Sequence, residues 1–166
     1  MLVNGFAPVV GKDAGILILG TLPGGESIRL NQYYADQGNS FWSIFNIRGN
    51  YGERVQGLIE NRISIWNVLQ SAERGGSLDR KIVKGTEVPN DFEVFFAHHA
   101  SIEEVFFNGR RAESYFRKLV LPHLKLSTVP PRWNSALPST SRTNTHLTND
   151  AKAEIWRVGI PWLTID

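Results

Sequence analysis

The stretch that most constrains this chain is AGILILGTLPGG, Ala14 to Gly25. Gly15 to Gly20 is a short run rich in Ile and Leu that ends on glycine, which reads as a buried strand. The glycine/proline loop after it must turn the chain, and its glycines let the backbone approach a ligand closely. Within twenty residues comes YYADQGNSFW, which places paired tyrosines and Asn39 just beyond that loop. Aromatic faces beside an amide suit a flat, hydrogen-bonding ring such as a nucleobase.

The remaining elements alternate. A helix is expected from Ser27 to Tyr34 with Ser27 as its cap, and others over Phe41–Phe45 and Val55–Asn61. Ile63–Val68 reads as a second buried strand, Asp91–His98 as a helix and Glu104–Phe107 as a third strand. Gly109 precedes a helix over Arg110–Val120, with Ala112, Tyr115, Phe116 and Leu119 on one side. Leu124–Val129 is read as the fourth strand. PPRWNSALPSTSRTN, up to Asn144, reads as a long loop, and Thr148 as the cap of a last helix ending near Gly159. Strands alternating with helices predict an α/β layered domain with a mainly parallel sheet. Such sheets bind ligands beyond the carboxyl ends of their strands. The TLPGG loop, Asn67, Asn108 and the Pro138 loop are therefore expected to converge on one cleft.

Composition narrows the classes. The chain's 166 residues suffice for one domain with a sizeable core. It contains no cysteine, which excludes disulfides, thiolate metal sites and iron–sulfur clusters and points to a reducing, cytoplasmic setting. No apolar run is long enough to span a bilayer, and Met1–Gly11 lacks the basic head of a signal peptide, so no membrane association is expected. A formal net charge of +2 permits nucleic-acid binding without announcing it, because affinity depends on where Lys and Arg cluster.

Each constellation has two readings. GTLPGG (Gly20–Gly25) lacks the spacing and the Lys-Ser/Thr of a phosphate-binding P-loop. It is either a plain strand-to-helix turn or a set of amides cradling partial negative charge. Asn39 is either the cap of the helix at Phe41 or a ligand contact, while Trp42 reads as core. Tyr33 and Tyr34 face different ways on a helix, which frees one to stack on a base. LPSTSRTN (Leu137–Asn144) is either a solvated loop or a source of hydroxyls and amides for phosphates, with Arg142 for a groove. His98, His99, His123 and His146 lack the spacing and acidic companions of a metal site. No G-x-S-x-G elbow exists, and the basic cluster of Arg110–Lys118 either touches a DNA backbone or, as the preferred reading, is a solvated helix face.

In this order the motifs GTLPG, YYADQGNSFW, IWNVLQSAERGGSLD, VFFNGRRA and LPSTSRTN resemble the uracil-DNA glycosylase superfamily over nearly the whole chain. They look particularly like its hypoxanthine-DNA (deoxyinosine) glycosylase branch. The resemblance implies a three-layer α/β/α sandwich around a four-stranded, mainly parallel sheet, in one domain spanning residues 1–166. It implies a base-binding set of Gly20, Thr21, Leu22, Pro23, Gly24, Tyr34 and Asn67. Tyr34 matches the aromatic that stacks on the flipped base, and Asn67 the second-strand asparagine that reads the base edge; branch members often carry Asp there. Many relatives keep Asn or Asp at the position of Leu22 to place the attacking water, and His or Asn at that of Leu137. Both groups are missing here. In the branch, the asparagine of N-x-F-W is thought to take over part of the chemistry, which makes Asn39 the expected catalytic residue. Ser139, Thr140, Ser141 and Arg142 are expected on DNA, Arg142 near where a wedge fills the hole left by the base. No metal and no cofactor are implied.

The implied activity is that of a monofunctional glycosylase that flips and excises deaminated bases in base excision repair, hypoxanthine foremost and xanthine or uracil besides. The implied partner is double- or single-stranded DNA carrying such bases, met by a monomer in the cytoplasm, at the bacterial nucleoid. With Leu22 and Leu137 inert, the expectation is a slow, electrostatically driven enzyme without a strong general base. Glu26 and Asp36 are the nearby acids that would contradict this, though both read as solvated loop residues. Two other classes stay open: a catalytically weak protein of the same fold that binds lesion or abasic DNA, and a hydrolase of free nucleotides.

Overall fold

The computed structural model describes residues 1–160. In chain order its elements begin with β1 (Leu2–Asn4), β2 (Ile16–Gly20), α1 (Gly25–Leu30), α2 (Phe41–Ile44), α3 (Tyr51–Glu60), β3 (Ile63–Asn67) and β4 (Leu69–Glu73). They continue with β5 (Val88–Pro89), α4 (Phe92–His98), β6 (Glu104–Phe107), α5 (Arg110–Tyr115), β7 (Arg132–Trp133) and α6 (Asn149–Gly159). The central sheet runs β3-β2-β6-β7 with every neighbouring pair parallel. Every residue of β2 and β3 is buried, as a parallel strand covered on both faces requires. Leu17 and Leu19 point into a cluster with Phe92, Phe96 and Phe116, while Ile16 and Ile18 point into one with Phe41, Phe45 and Trp156. Helices α4 and α5 thus cover one face and α2, α3 and α6 the other, giving three layers.

The register levels the carboxyl ends of the strands. Gly20 pairs with Asn67, and Leu19 with Phe107. Three residues that end or follow strands, Gly20, Asn67 and Asn108, therefore sit side by side at one edge.

The fourth strand lies elsewhere than its sequence pattern suggested. Leu124 and Leu126 pack against the core, but among the described residues Leu124–Val129 pairs with no strand of the sheet. Pairing begins only after Pro130 and Pro131, which carry no amide hydrogen. There Arg132 N–H donates to Glu103 O at 2.8 Å and Asn134 N–H to Val105 O at 3.0 Å. Trp133 anchors the strand by packing on Phe96 and Phe116. The expected helix over Ser27–Tyr34 is also shorter. It is capped at Gly24, holds Ser27 buried inside and stops at Asn31, whose φ of +52° is left-handed. The helix over Arg110–Val120 loosens into a π-helical segment at Phe116–Val120, which seats Phe116 fully in the core. A second, antiparallel sheet, β1-β4-β5, adds Val3, Leu69 and Ala72 to the first cluster.

Candidate functional site

A cleft of about 760 Å³ opens at the carboxyl edge of the sheet. Its walls are the Thr21–Gly24 loop, the Tyr34–Asn39 turn, Asn67 and Asn108 at the strand ends, and the Ser139–Asn144 loop. Gly20, Thr21, Leu22, Pro23, Gly24, Tyr34, Asn39, Asn67, Ser139, Thr140, Ser141 and Arg142 all border it. Leu137 does not. Its side chain turns toward α6, where a Cβ on Gly159 would come within 2.7 Å of Leu137 Cδ2.

The floor is Gly20. A Cβ there would meet the Tyr34 hydroxyl at 3.5 Å and Asn67 Nδ2 at 3.6 Å, so these two groups face each other across a bare Cα. Tyr34 is not on a helix; it sits at φ +54°, an unfavourable conformation for a bulky residue. Its neighbours hold it there. Tyr33 accepts at its carbonyl from Trp42 Nε1–H (3.2 Å) and donates its amide to the Tyr51 hydroxyl (3.1 Å). One face of the Tyr34 ring stacks on Phe41 at a centroid distance of 3.9 Å and 17°, while the half-buried ring also borders the cleft. Burial pushes the Tyr34 phenol up to about 12, against the opposing pull of the neighbouring Asn108 amide, so it is neutral at working pH.

Both asparagines are oriented by their oxygens. Asn67 Oδ1 accepts from Phe6 N–H at 3.3 Å, which turns Nδ2 toward Gly20 and the cleft. Asn39 Oδ1 accepts from Phe41 N–H at 3.0 Å, and its backbone N–H donates to Asp36 O at 2.9 Å. Among the described residues neither Nδ2 has a hydrogen-bond partner. Asn39 is not the expected cap: Ser40 holds the N-cap position of α2 without a side-chain cap bond, and the Asn39 oxygen, one residue earlier, shapes the turn into the helix.

The loop from Leu137 is fastened by Asn108. Asn108 Nδ2–H donates to Thr140 Oγ1, and Asn108 Oδ1 accepts from Thr140 N–H, both at 2.9 Å. The Thr140 carbonyl accepts from Ser40 N–H at 3.0 Å. Thr140, expected on DNA, is wholly buried, with its hydrogen-bonding groups spent on this joint between β6, α2 and the loop. Gly109, at φ +95°, lets Ser139 approach within 3.1 Å of where its Cβ would stand. Ser139 Oγ accepts from Ser141 N–H at 3.3 Å, and Ser141 Oγ lies 2.9 Å from Thr143 Oγ1. Arg142 crosses above Gly38 to reach Asp36 at 3.4 Å.

Residues that sequence reasoning missed complete the walls. Arg74 is 1% exposed and braces the TLPGG loop: its Nη2–H donates to Pro23 O at 2.6 Å, and its Nη1 meets Asp79 Oδ1 at 3.1 Å. Asp79 borders the cleft. Burial pushes its carboxyl up, while Arg74 and the Thr21 hydroxyl pull it down. Glu26 is instead held below the usual carboxylate range by its hydrogen bond and charge pairing with exposed Arg29. Arg80, Arg110 and Arg111 also line the cleft, and none has a carboxylate at ion-pairing distance among the described residues. The cluster whose preferred reading was a solvated helix face, with backbone contact as the alternative, thus presents Arg110 and Arg111 to the site. The GGSLD run, already within a quoted motif, was the available signal for Asp79. No histidine borders the cleft.

The profile of the uracil DNA glycosylase superfamily matches residues 7–158. Two curated relatives carry the name hypoxanthine DNA glycosylase. The one from Methanosarcina barkeri is 38% identical over 122 residues, 69% of this chain and 76% of that protein. The one from Methanosarcina acetivorans is 34% identical over 161 residues, 93% of this chain and 96% of that protein. A solution NMR structure from Methanosarcina acetivorans, described as a candidate uracil DNA glycosylase, is similar with a TM-score of 0.74 at 32% identity, covering 98% of this chain and 99% of that one.

Proposed function

The chain belongs to the uracil DNA glycosylase superfamily, and from that premise we propose that it is a monofunctional DNA glycosylase that excises deaminated bases, hypoxanthine foremost. The observation that carries this reading is the pairing of the Tyr34 platform, stacked on Phe41, with the Asn67 amide across Gly20. Together they form a slot for one planar ring with a hydrogen-bond donor at its edge. The names of the two Methanosarcina relatives support the base.

The chemistry follows from these groups. Extruding a base costs a few kcal/mol, least at a mismatch, and stacking on Tyr34 returns ~1–3 kcal/mol. Asn67 offers Nδ2–H because Phe6 N–H occupies its oxygen. A keto oxygen, as on hypoxanthine, xanthine or uracil, accepts that bond. The amino group of adenine places donor against donor and leaves both unpaired. The bond between C1′ and the base nitrogen breaks with both electrons going to the base. Water then adds to the oxocarbenium-like sugar, and the proton it loses ends on the departing base. Asn39 Nδ2–H stabilises the negative charge developing on the base, an effect worth ~10²–10³ in rate for one preorganised donor. Leu22 offers nothing to the water, and Leu137 is turned away. The reaction therefore relies on electrostatic stabilisation of the leaving base.

The test is direct. Duplexes carrying inosine, xanthine or uracil are incubated with the protein, and abasic sites are cleaved with alkali. Strand breaks are expected with inosine, with no borohydride-trapped adduct. A trapped adduct refutes the monofunctional reading. No release from any duplex, with binding to lesion or abasic DNA retained, makes the protein a damage-binding module instead. Release from free nucleosides alone makes it a nucleotide hydrolase.

A further inference from the structure

Lys152 is in the wrong place for a structural lysine. It is 1% exposed and stands in the first turns of α6, the end of a helix that repels cations. Its ammonium carries three donors, yet its one hydrogen bond among the described residues runs to a neutral acceptor, Ser141 O, at 3.0 Å. No carboxylate pairs with it there. A buried charge without a counter-ion is costly, and burial pushes the Lys152 pKa down. Elsewhere this chain solves the same problem conventionally, giving buried Arg74 the carboxylate of Asp79.

The carbonyl that Lys152 holds belongs to the Ser139–Asn144 loop. That loop also presents the half-buried Ser139 and Ser141 hydroxyls and exposed Arg142 to the cleft. We propose that the missing counter-ion of Lys152 is a phosphodiester of bound DNA seated on this loop. Resting on the glycosylase reading above, this gives the loop a buried cation beneath its phosphate site. Lys152 acts through Ser141, as a positioning residue and a fixed positive charge well within a Debye length of the loop's surface. It needs no direct contact with the phosphate. The locally unfavourable charge is tolerated in the free protein because the complex neutralises it, as expected of a residue that breaks local rules at a functional site.

The experiment measures binding of wild-type and variant protein to a duplex with a non-cleavable abasic-site analogue, across a range of salt concentrations. Lys152→Gln keeps a donor for the Ser141 carbonyl and removes the charge. It is expected to weaken binding roughly tenfold near 0.15 M salt, and to make the slope of log K against log[salt] shallower by about one. Lys152→Arg is expected to keep the wild-type slope. An unchanged slope in Lys152→Gln overturns the proposal, as does equal loss in both variants, which is what a purely structural role predicts. If Lys152→Gln does not fold, Lys152→Met is read by the same slope. Wild-type protein that binds no DNA overturns this proposal together with the glycosylase reading; wild-type binding and base release with an unchanged variant slope overturn this proposal alone.

Discussion

The side-chain oxygen of Asn39 is committed to the Phe41 amide, so the residue has one face for the fold and one for a ligand. A turn-shaping role and a catalytic role are therefore compatible, though Ser40 and not Asn39 is the helix cap, which residue type and spacing alone do not reveal. Tyr34 is similar. Its left-handed φ was not legible in YYADQGNSFW, and its separation from Tyr33 arises from that kink rather than from a helix. Because the ring is a platform, removing the hydroxyl and removing the face should differ. Tyr34→Phe is expected to keep base release within about threefold, since its stack on Phe41 survives. Tyr34→Leu should weaken lesion binding by about ten- to a hundredfold, the worth of one base stack. Equal losses in the two variants would assign the role to the hydroxyl near Asn108 instead. With its phenol pushed up to about 12, Tyr34 should contribute no inflection to the pH–rate profile between pH 5 and pH 9.

Among the elements, β2 and β6 were readable because a buried parallel strand is a short apolar run with no competing pattern. β7 was not, because LKLSTV alternates like a strand whereas a two-residue pairing after two prolines gives almost no signal. The second sheet escaped for the same reason: β1 has three residues and β5 two. These omissions matter because β4 leads into Arg74 and the Arg74–Asp79 brace behind the TLPGG loop. Removing one partner strands a buried charge, so Asp79→Asn is expected to cost ~2 kcal/mol, below the ~3–5 kcal/mol of a fully buried pair because Asp79 is partly exposed. Thermal melts should read this as a fall of roughly 4–8 °C. The double variant Arg74→Met/Asp79→Leu should recover most of that stability. It should not recover base release, because the Pro23 carbonyl loses its donor. Full recovery of both would show that the brace does not shape the loop.

At the scale of the molecule, the convergence of loops followed from topology. Parallel strands of matched register deliver their carboxyl ends to one edge, so Gly20, Asn67 and Asn108 were bound to meet once the strands were identified. The buried joint at Thr140 could not be anticipated, because a hydroxyl in a Ser/Thr-rich segment looks solvated until Asn108 is placed opposite it. The arginines of α5 were legible as a basic cluster, but a short helix does not announce which face borders a cleft. On the proposed reading the stabilisation of the leaving base falls to Asn39, in place of the polar group missing at Leu137, while Leu22 leaves the attacking water without a partner. Single-turnover base release from an inosine duplex by Asn39→Asp tests that claim most directly. The substitution keeps an oxygen for the Phe41 amide, and so the turn, while removing the Nδ2–H donors. Melting temperature should stay within a few degrees of wild type while the rate falls ~10²–10³-fold. An unchanged rate in a folded Asn39→Asp protein would contradict the account.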